Sequence, residues 1–515
     1  MLANRGIPER RAFLRSAGLA GATLALDQFG FLSRLPRVAA DETRLPAGSV
    51  QFSDDIEPLV RLLEETERSK VIETFARKIA SGTSYREVLA ALLLAGVRNV
   101  QPRPSVGFKF HAVLVVNSAH LASLAAPESD RWLPIFWALD YFKSSQARDE
   151  REGDWTMSAV DESNVPPSHR AEQAFRDAMD HWDGDAADVA VAALCRSIPA
   201  NRVFDLMAHY GCRDFRSIGH KAIYVANAYR TLQCIGWQYA EPVLRSLAYA
   251  ILNHNGEPNP STSNLHADEA WHTTQEESRR LGENWNHGRT DAAATQDLLA
   301  VLRESTPADS VRAVAKMLRD GVATQSISDA IFLSASETLG QQPGIVSLHS
   351  TTSTNAMQFA LRTTYGDQTR KELLLQNAAF LPYFRESMRS RGKVNDRTIE
   401  IDAHANTDES NATQAATVDE IFRAVSTDRP SAAADMRTYL ATGGEPEALI
   451  NAARRLVFLK GNDSHDYKFS SAVLEDYYAV SPPFRAAYLA NAAYLLPGTL
   501  DRDNGLVGRV KAALV

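Results

Sequence analysis

The chain has 515 residues, a formal net charge of −8 and only three cysteines. This acidic balance, without a basic cluster, argues against nucleic-acid binding, because such proteins must neutralise phosphates. The cysteines, Cys195, Cys212 and Cys234, lack a Cys-x-x-Cys spacing. A disulfide framework is therefore excluded as the main source of stability, although one bond among the three stays open.

The N-terminal segment has the pattern of a twin-arginine export signal. The pair Arg10-Arg11 is followed by Phe-Leu and by a short apolar block rich in alanine and glycine, and a small-residue cleavage site fits at Ala40. The pattern predicts a signal peptide over residues 1–40 and the twin-arginine translocase as an export partner. It also predicts a periplasmic or extracellular mature protein. No later segment is long and apolar enough to span a membrane.

Helical periodicity dominates the rest of the chain. Apolar residues recur at three- and four-residue spacing, and alternating runs typical of strands are almost absent. The clearest periodic segments are residues 71–79, 85–95, 189–194, 311–318 and 327–339.

The predicted helices recur in the same order four times. In each unit two helices precede a loop with a histidine, a third helix follows that loop, and a fourth helix led by an arginine closes three of the four units. We therefore predict an all-α fold in which residues 41–515 form a single domain. The fold would be a four-unit helical repeat, α/α-toroid-like or a closed solenoid. The units lie near residues 71–146, 187–255, 309–388 and 432–498.

Three polar segments interrupt this order. Residues 147–186 and 253–291 are insertions, and residues 392–411 are predicted to form a surface loop. Asparagines recur six or seven residues after three of the loop histidines, at Asn117, Asn227 and Asn355. Six residues of helix do not return to the same face, so these asparagines are interpreted as ties between helices.

The loop histidines are the first candidate site. They are His111, His220, His349 and His465. In a closed helical ring, equivalent loops face a common axis, where several imidazoles could bind a transition metal or carry protons. Helix capping is the competing interpretation, but Ser, Thr, Asp and Asn serve as caps better than His. Lys109, Lys221 and Lys468 lie close to these histidines in the sequence.

A weaker alternative metal site lies in the second insertion. Glu269 and His272 have the three-residue spacing found in carboxylate-bridged metal sites on helices. No second copy of this motif occurs, and a polar surface helix explains the pattern more simply.

Several common catalytic signatures are missing. The chain has no glycine-rich dinucleotide or P-loop motif, no Gly-x-Ser-x-Gly and no His-Glu-x-x-His. At residues 219–252 and 345–381 the chain resembles the questin oxidase-like family, which is similarly all-helical with histidines at helix starts. The resemblance implies an oxygenase that inserts oxygen into an aromatic or polyketide-derived ketone, with His220 and His349 in its site. The export signal departs from the intracellular setting of that family.

Three functions follow from these observations. The first is an exported enzyme, an oxidoreductase or oxygenase with a histidine-lined cavity for a small organic substrate, and a transition metal as its cofactor. The second is an α/α-toroid polysaccharide lyase or hydrolase, which would need an aromatic groove and a Tyr/His or paired-carboxylate site. The third is a helical scaffold that binds a partner on a concave face.

Overall fold

The computed structural model describes residues 56–102, 107–252, 257–401 and 415–513. Within these ranges the chain is all-helical and contains no strand, only an isolated bridge between Arg289 and Val322. The predicted signal over residues 1–40 lies outside the described residues, as does the end of the 392–411 segment. The all-α prediction is confirmed.

Ten helices occupy the first half of the described chain. They are α1 (Glu57–Glu65), α2 (Val71–Ala80), α3 (Tyr85–Asn99), α4 (His111–Ala125), α5 (Leu133–Glu152), α6 (Ala171–Asp180), α7 (Gly184–Ser197), α8 (Ala200–Gly211), α9 (His220–Ile235) and α10 (Ala240–Ile251). Local sequence determines where they begin. A reciprocal capping box between Ser84 and Glu87 starts α3, and the Asp183 side chain accepts a hydrogen bond at the start of α7.

Six further helices reach from the second insertion to residue 390. They are α11 (His266–Arg280), α12 (Ala292–Glu304), α13 (Pro307–Arg319), α14 (Thr324–Gln341), α15 (Ile345–Thr363) and α16 (Asp367–Ser390). Thr306 caps α13, whose first residue is a proline that needs no hydrogen-bond partner there. The insertions are thus partly helical, because α6 lies in the first and α11 in the second.

Six helices complete the described chain. They are α17 (Val418–Val425), α18 (Arg429–Ala441), α19 (Pro446–Lys460), α20 (Ser464–Asp476), α21 (Arg485–Ala490) and α22 (Leu506–Ala513). No helix in the described ranges is long and apolar enough to cross a membrane.

Four helices, α4, α9, α15 and α20, form the centre of the molecule. In the described chain α4 packs on α9, α9 on α15, α15 on α20, and α20 back on α4, so their order is closed. Most residues of each helix are buried on every face. Each helix is therefore mostly enclosed by its neighbours, and only a few side chains, such as that of His465, are partly exposed. The helices before and after them in the chain form the layer outside: α3 and α5, α8 and α10, α14 and α16, and α19.

The four central helices run parallel. The first contacts between these helices are those among the histidines. Six or seven residues after the histidines, Ser471 donates to the backbone of Ser118. Ten residues after the histidines, Arg230 forms an ion pair with Glu475. In each contact, both partners lie a similar number of residues after their own histidine. The helices therefore run in the same direction. All four N-terminal ends therefore lie at the same end of the bundle.

One detail of the predicted order is wrong. His349 does not begin its helix but is the fifth residue of α15, whereas His111 and His220 are first residues and His465 is a second residue. The segments that begin at Asn377 and Asn491 share the pattern Asn-Ala-Ala-aromatic-Leu, but their structures differ. The first continues as α-helix through Pro382, whereas the second changes to a 3₁₀ turn at Asn491–Tyr494.

Candidate metal centre

The four loop histidines meet at the N-terminal end of the central bundle. The Nε2 atom of His220 lies 3.1 Å from Nε2 of His111 and 2.9 Å from Nε2 of His349. The His465 ring centroid is 4.5 Å from that of His111 and 5.4 Å from that of His349. His111, His349 and His465 each offer one ring nitrogen, and these three nitrogens lie within 4.8 Å of one another. The fold thus gathers four imidazoles from four distant segments of the chain.

Three of the imidazoles have a fixed tautomer. Nδ1 of His220 lies 2.8 Å from a backbone carbonyl three residues earlier, and Nδ1 of His349 lies 2.6 Å from a carbonyl four residues earlier. Nδ1 of His465 lies 3.2 Å from the carboxylate of Asp463. These oxygens carry no proton, so each Nδ1 must donate one. In the neutral ring, Nε2 is then left as an unprotonated lone pair.

The Nε2 lone pairs of His220 and His349 face one another. Two such lone pairs 2.9 Å apart, as in His220 and His349, repel unless a positive charge lies between them. The separations suit a shared metal ion. Two nitrogens each about 2.1 Å from a metal lie about 3.0 Å apart at a right angle and about 3.4 Å apart at the tetrahedral angle. Metal-bound histidines commonly donate their other nitrogen to a carbonyl or carboxylate, as three of these do.

Protonation of the cluster is an unfavourable way to remove this repulsion. Burial holds the pKa of His111, His220 and His349 well below the usual value of 6.5, and the charge of Lys468 adds to this effect. Desolvation disfavours the imidazolium form, so the three rings are neutral at pH 7. Neutral imidazole is the form that binds metals, and it suits zinc, copper, iron and nickel.

Lys468 lies next to the histidine cluster with its charge uncompensated by a hydrogen bond. It is one helical turn after His465 and only 3% exposed. Its Nζ has no hydrogen-bond partner among the described residues, and neither does Nε2 of His465. Burial lowers the pKa of Lys468 to about 7. By contrast, Lys109 is paired with Asp149 and Lys221 with Asp214.

Below the histidines, asparagines tie the central helices together. The Asn117 Nδ2 donates to Oδ1 of Asn227 over 3.1 Å, and Nδ2 of Asn227 donates to the backbone oxygen of Leu114 over 2.9 Å. Asn355 donates to the carboxylates of α20. The interpretation of these asparagines as interhelical ties is confirmed.

A third polar layer follows one turn further along the bundle. Arg230 donates to Oδ1 of Asn355 and to the carboxylate of Glu475, at 3.2 and 2.7 Å. Asn355 and Tyr488 donate to Asp476, which is fully buried. Burial and the charge of Glu475 raise the pKa of Asp476 to about 7. The interior of the bundle is therefore polar along its length.

Sequence reasoning missed this third layer. The signal was present, because Arg230 lies ten residues after His220 and Glu475 lies ten residues after His465. A cavity of about 480 Å³ reaches the layer from outside, and Glu475, Gln358 and Arg362 line it.

The weaker candidate in the second insertion does not join this cluster. Glu269 is exposed and contacts His266, which also bonds to Glu386. The His272 side chain bonds to the backbone oxygen of Ser263 over 3.3 Å. Among the described residues, the group of side chains with metal-ligand spacing is His111, His349 and His465, without Glu269 or His272.

A larger cleft of about 1260 Å³ lies away from the histidines. Aromatic side chains line it together with aspartates such as Asp161 and Asp188. Trp155 and Tyr249 stack there, with their planes 10° apart and their centroids 6.0 Å apart, and Trp182 lies on another wall. Aromatic rings and carboxylates thus line the same open cleft.

The three cysteines all lie within the described residues, and no disulfide joins them. Comparisons with protein-family models, curated proteins and solved structures find no match to this chain. The function is therefore argued from the chemistry of the site.

Proposed function

We propose that the chain is a metal-dependent enzyme whose centre is formed by His111, His220, His349 and His465. The observation that carries the proposal is the convergence of Nε2 lone pairs whose Nδ1 atoms donate to fixed oxygens. A ligand set made of imidazoles favours a transition metal over magnesium or calcium, which prefer oxygen ligands.

The form of this function that we favour is an exported oxidoreductase that acts on a small organic substrate. The closed order of α4, α9, α15 and α20 and their polar interior support an enzyme over an open scaffold, which would need a broad apolar groove. We also infer that the four units around these helices form a closed helical repeat. The resemblance to the questin oxidase-like family remains a hypothesis for the reaction class.

Metal analysis of the purified, folded protein tests this proposal. We expect about one transition-metal ion per chain, and an absorption or paramagnetic resonance signal that changes on reduction. His349→Ala should weaken metal binding at least about tenfold in competition with a chelator, because it removes a direct ligand. His272→Ala is the matched control, since this histidine is exposed on α11.

Two results would count against the proposal. Wild-type protein without metal, or equal metal affinity in the His349→Ala variant and the control, contradicts the metal centre. Zinc as the bound metal contradicts only the metal-centred redox form of the reaction, because zinc has no redox chemistry. Circular dichroism of each variant establishes that the helices are retained.

A second candidate function rests on the 1260 Å³ cleft. Its aromatic rings and aspartates suit a polysaccharide lyase or hydrolase. Titration with oligosaccharides, followed by tryptophan fluorescence, tests it. A saturable change in fluorescence that is lost in the Trp155→Ala variant would support a polysaccharide-active enzyme. Fluorescence that oligosaccharides leave unchanged would contradict it.

A further inference from the structure

The buried ammonium of Lys468 needs a partner. An ammonium group has three N–H donors, and leaving them without acceptors in a dry interior is costly. The Nζ of Lys468 has no acceptor in the described part of the chain. His465, whose ring contacts those of His111 and His349, lies on the same helix as Lys468. The Lys468 side chain shares a helix face with His465, three residues earlier.

The surroundings of this ammonium add further positive potential. The helices α4 and α9 begin at their histidines, and α20 begins one residue before His465. Helix N-termini carry partial positive charge and present unpaired N–H groups. A divalent metal held by neutral imidazoles would add two more charges. Asp463 contacts His465 and also acts on Lys468 through its negative charge, but it does not accept a hydrogen bond from Nζ.

We propose that a small oxyanion, of the carboxylate class, binds between the metal and Lys468. One oxygen would accept hydrogen bonds from Nζ, and the same group would bind the metal as a fifth ligand beside the four imidazoles. The inference rests on the metal centre proposed above. The most exposed part of the histidine cluster is at His465, whose side chain is 21% exposed, next to Asp463, which is 60% exposed. A ligand would enter from this side. The substrate class is thus a small molecule that carries a carboxylate.

Formate binding to the cobalt-substituted protein tests this inference. Formate should shift the visible spectrum of the wild-type protein in a saturable manner. Lys468→Met should raise the Kd for formate at least about tenfold, because a charge-assisted hydrogen bond is lost. The metal affinity of the Lys468→Met variant should equal or exceed that of the wild-type protein, because a neighbouring positive charge has been removed. Lys371→Met is the matched control, since Lys371 is also buried but lies on α16.

The outcomes separate this inference from the proposed function. Wild-type protein without metal overturns both. Metal binding with a formate Kd that Lys468→Met leaves unchanged overturns only the oxyanion site, as does a wild-type spectrum that formate does not alter. If Lys468→Met fails to fold, Lys468→Gln replaces it, because glutamine keeps a donor without the charge. The Gln variant should still bind formate more weakly than wild type.

Discussion

At the scale of single residues, Asp476 has the most unusual environment outside the histidine cluster. It is fully buried, and the donors around it are the amide of Asn355 and the hydroxyl of Tyr488. Burial and the nearby charge of Glu475 raise its pKa from 3.8 to about 7. Because the folded value exceeds the unfolded value, the stability contributed by this group is complete below about pH 3.8. It is lost as the pH rises through about 7.

Asp476→Asn should therefore stabilise the protein at pH 8 by about 1–3 kcal/mol, because the variant buries no charge there. At pH 5 the difference should shrink, since the wild-type carboxyl is then mostly protonated. Urea unfolding at the two pH values measures both effects. The exposed Asp297→Asn on α12 serves as the control and should change neither value. An equal loss of stability at both pH values would show that Asp476 acts only through its hydrogen bonds.

At the scale of the helix, the asparagine layer fixes how the central helices pack. Asn227 makes two hydrogen bonds to α4, one to the side chain of Asn117 and one to the backbone of Leu114. These bonds lie inside a bundle whose polar groups have little access to water. Removing a partner there leaves the remaining groups unsatisfied.

Asn227→Ala should destabilise the fold by about 2–3 kcal/mol, because two buried hydrogen bonds are lost and Asn117 keeps an orphaned amide. The free energy of unfolding in urea measures this effect. Asn201→Ala, at an exposed position of α8, should change it by less than about 0.5 kcal/mol. Metal affinity should also fall in the Asn227→Ala variant, because the register of α9 against α4 positions His220. Equal stability of the two variants would show that the asparagine layer does not fix how the central helices pack.

Helical periodicity allowed much of this architecture to be predicted. The segments at 71–79, 85–95 and 327–339 all lie inside observed helices, and the histidine register indicated which loops meet. The insertions were predicted less well, because Trp271 and Asp268 are buried on an otherwise polar helix α11. Hydrophobic periodicity also could not predict that Asp476 is buried, because a buried aspartate and an exposed one have the same sequence pattern until their neighbours in the fold are known. Which helices run parallel is likewise a tertiary property, and no local pattern encodes it.

At the scale of the whole molecule, the export signal predicted from the sequence would determine the compartment in which the proposed centre acts. Replacing Arg10 and Arg11 with lysine should keep the protein in the cytoplasm and leave the segment up to Ala40 uncleaved, because the arginine pair is what the translocase reads. Cell fractionation and the mass of the protein in each compartment measure this. Lysine substitution at Arg34 is the control, since it lies in the same segment but outside the pair. Unchanged export of the double variant would contradict the twin-arginine assignment.

The closed order of the central helices also sets when the centre can form during synthesis. The last contact of the ring joins α20 to α4, whose histidines are separated by some three hundred and fifty positions in the chain. Contacts between segments so far apart in the chain slow folding, because the intervening loop must close before they form. A ribosome-bound intermediate that ends before α20 lacks both His465 and Lys468. Binding of the proposed metal would therefore be a late event, and a product truncated before α20 would lack one of the four proposed ligands.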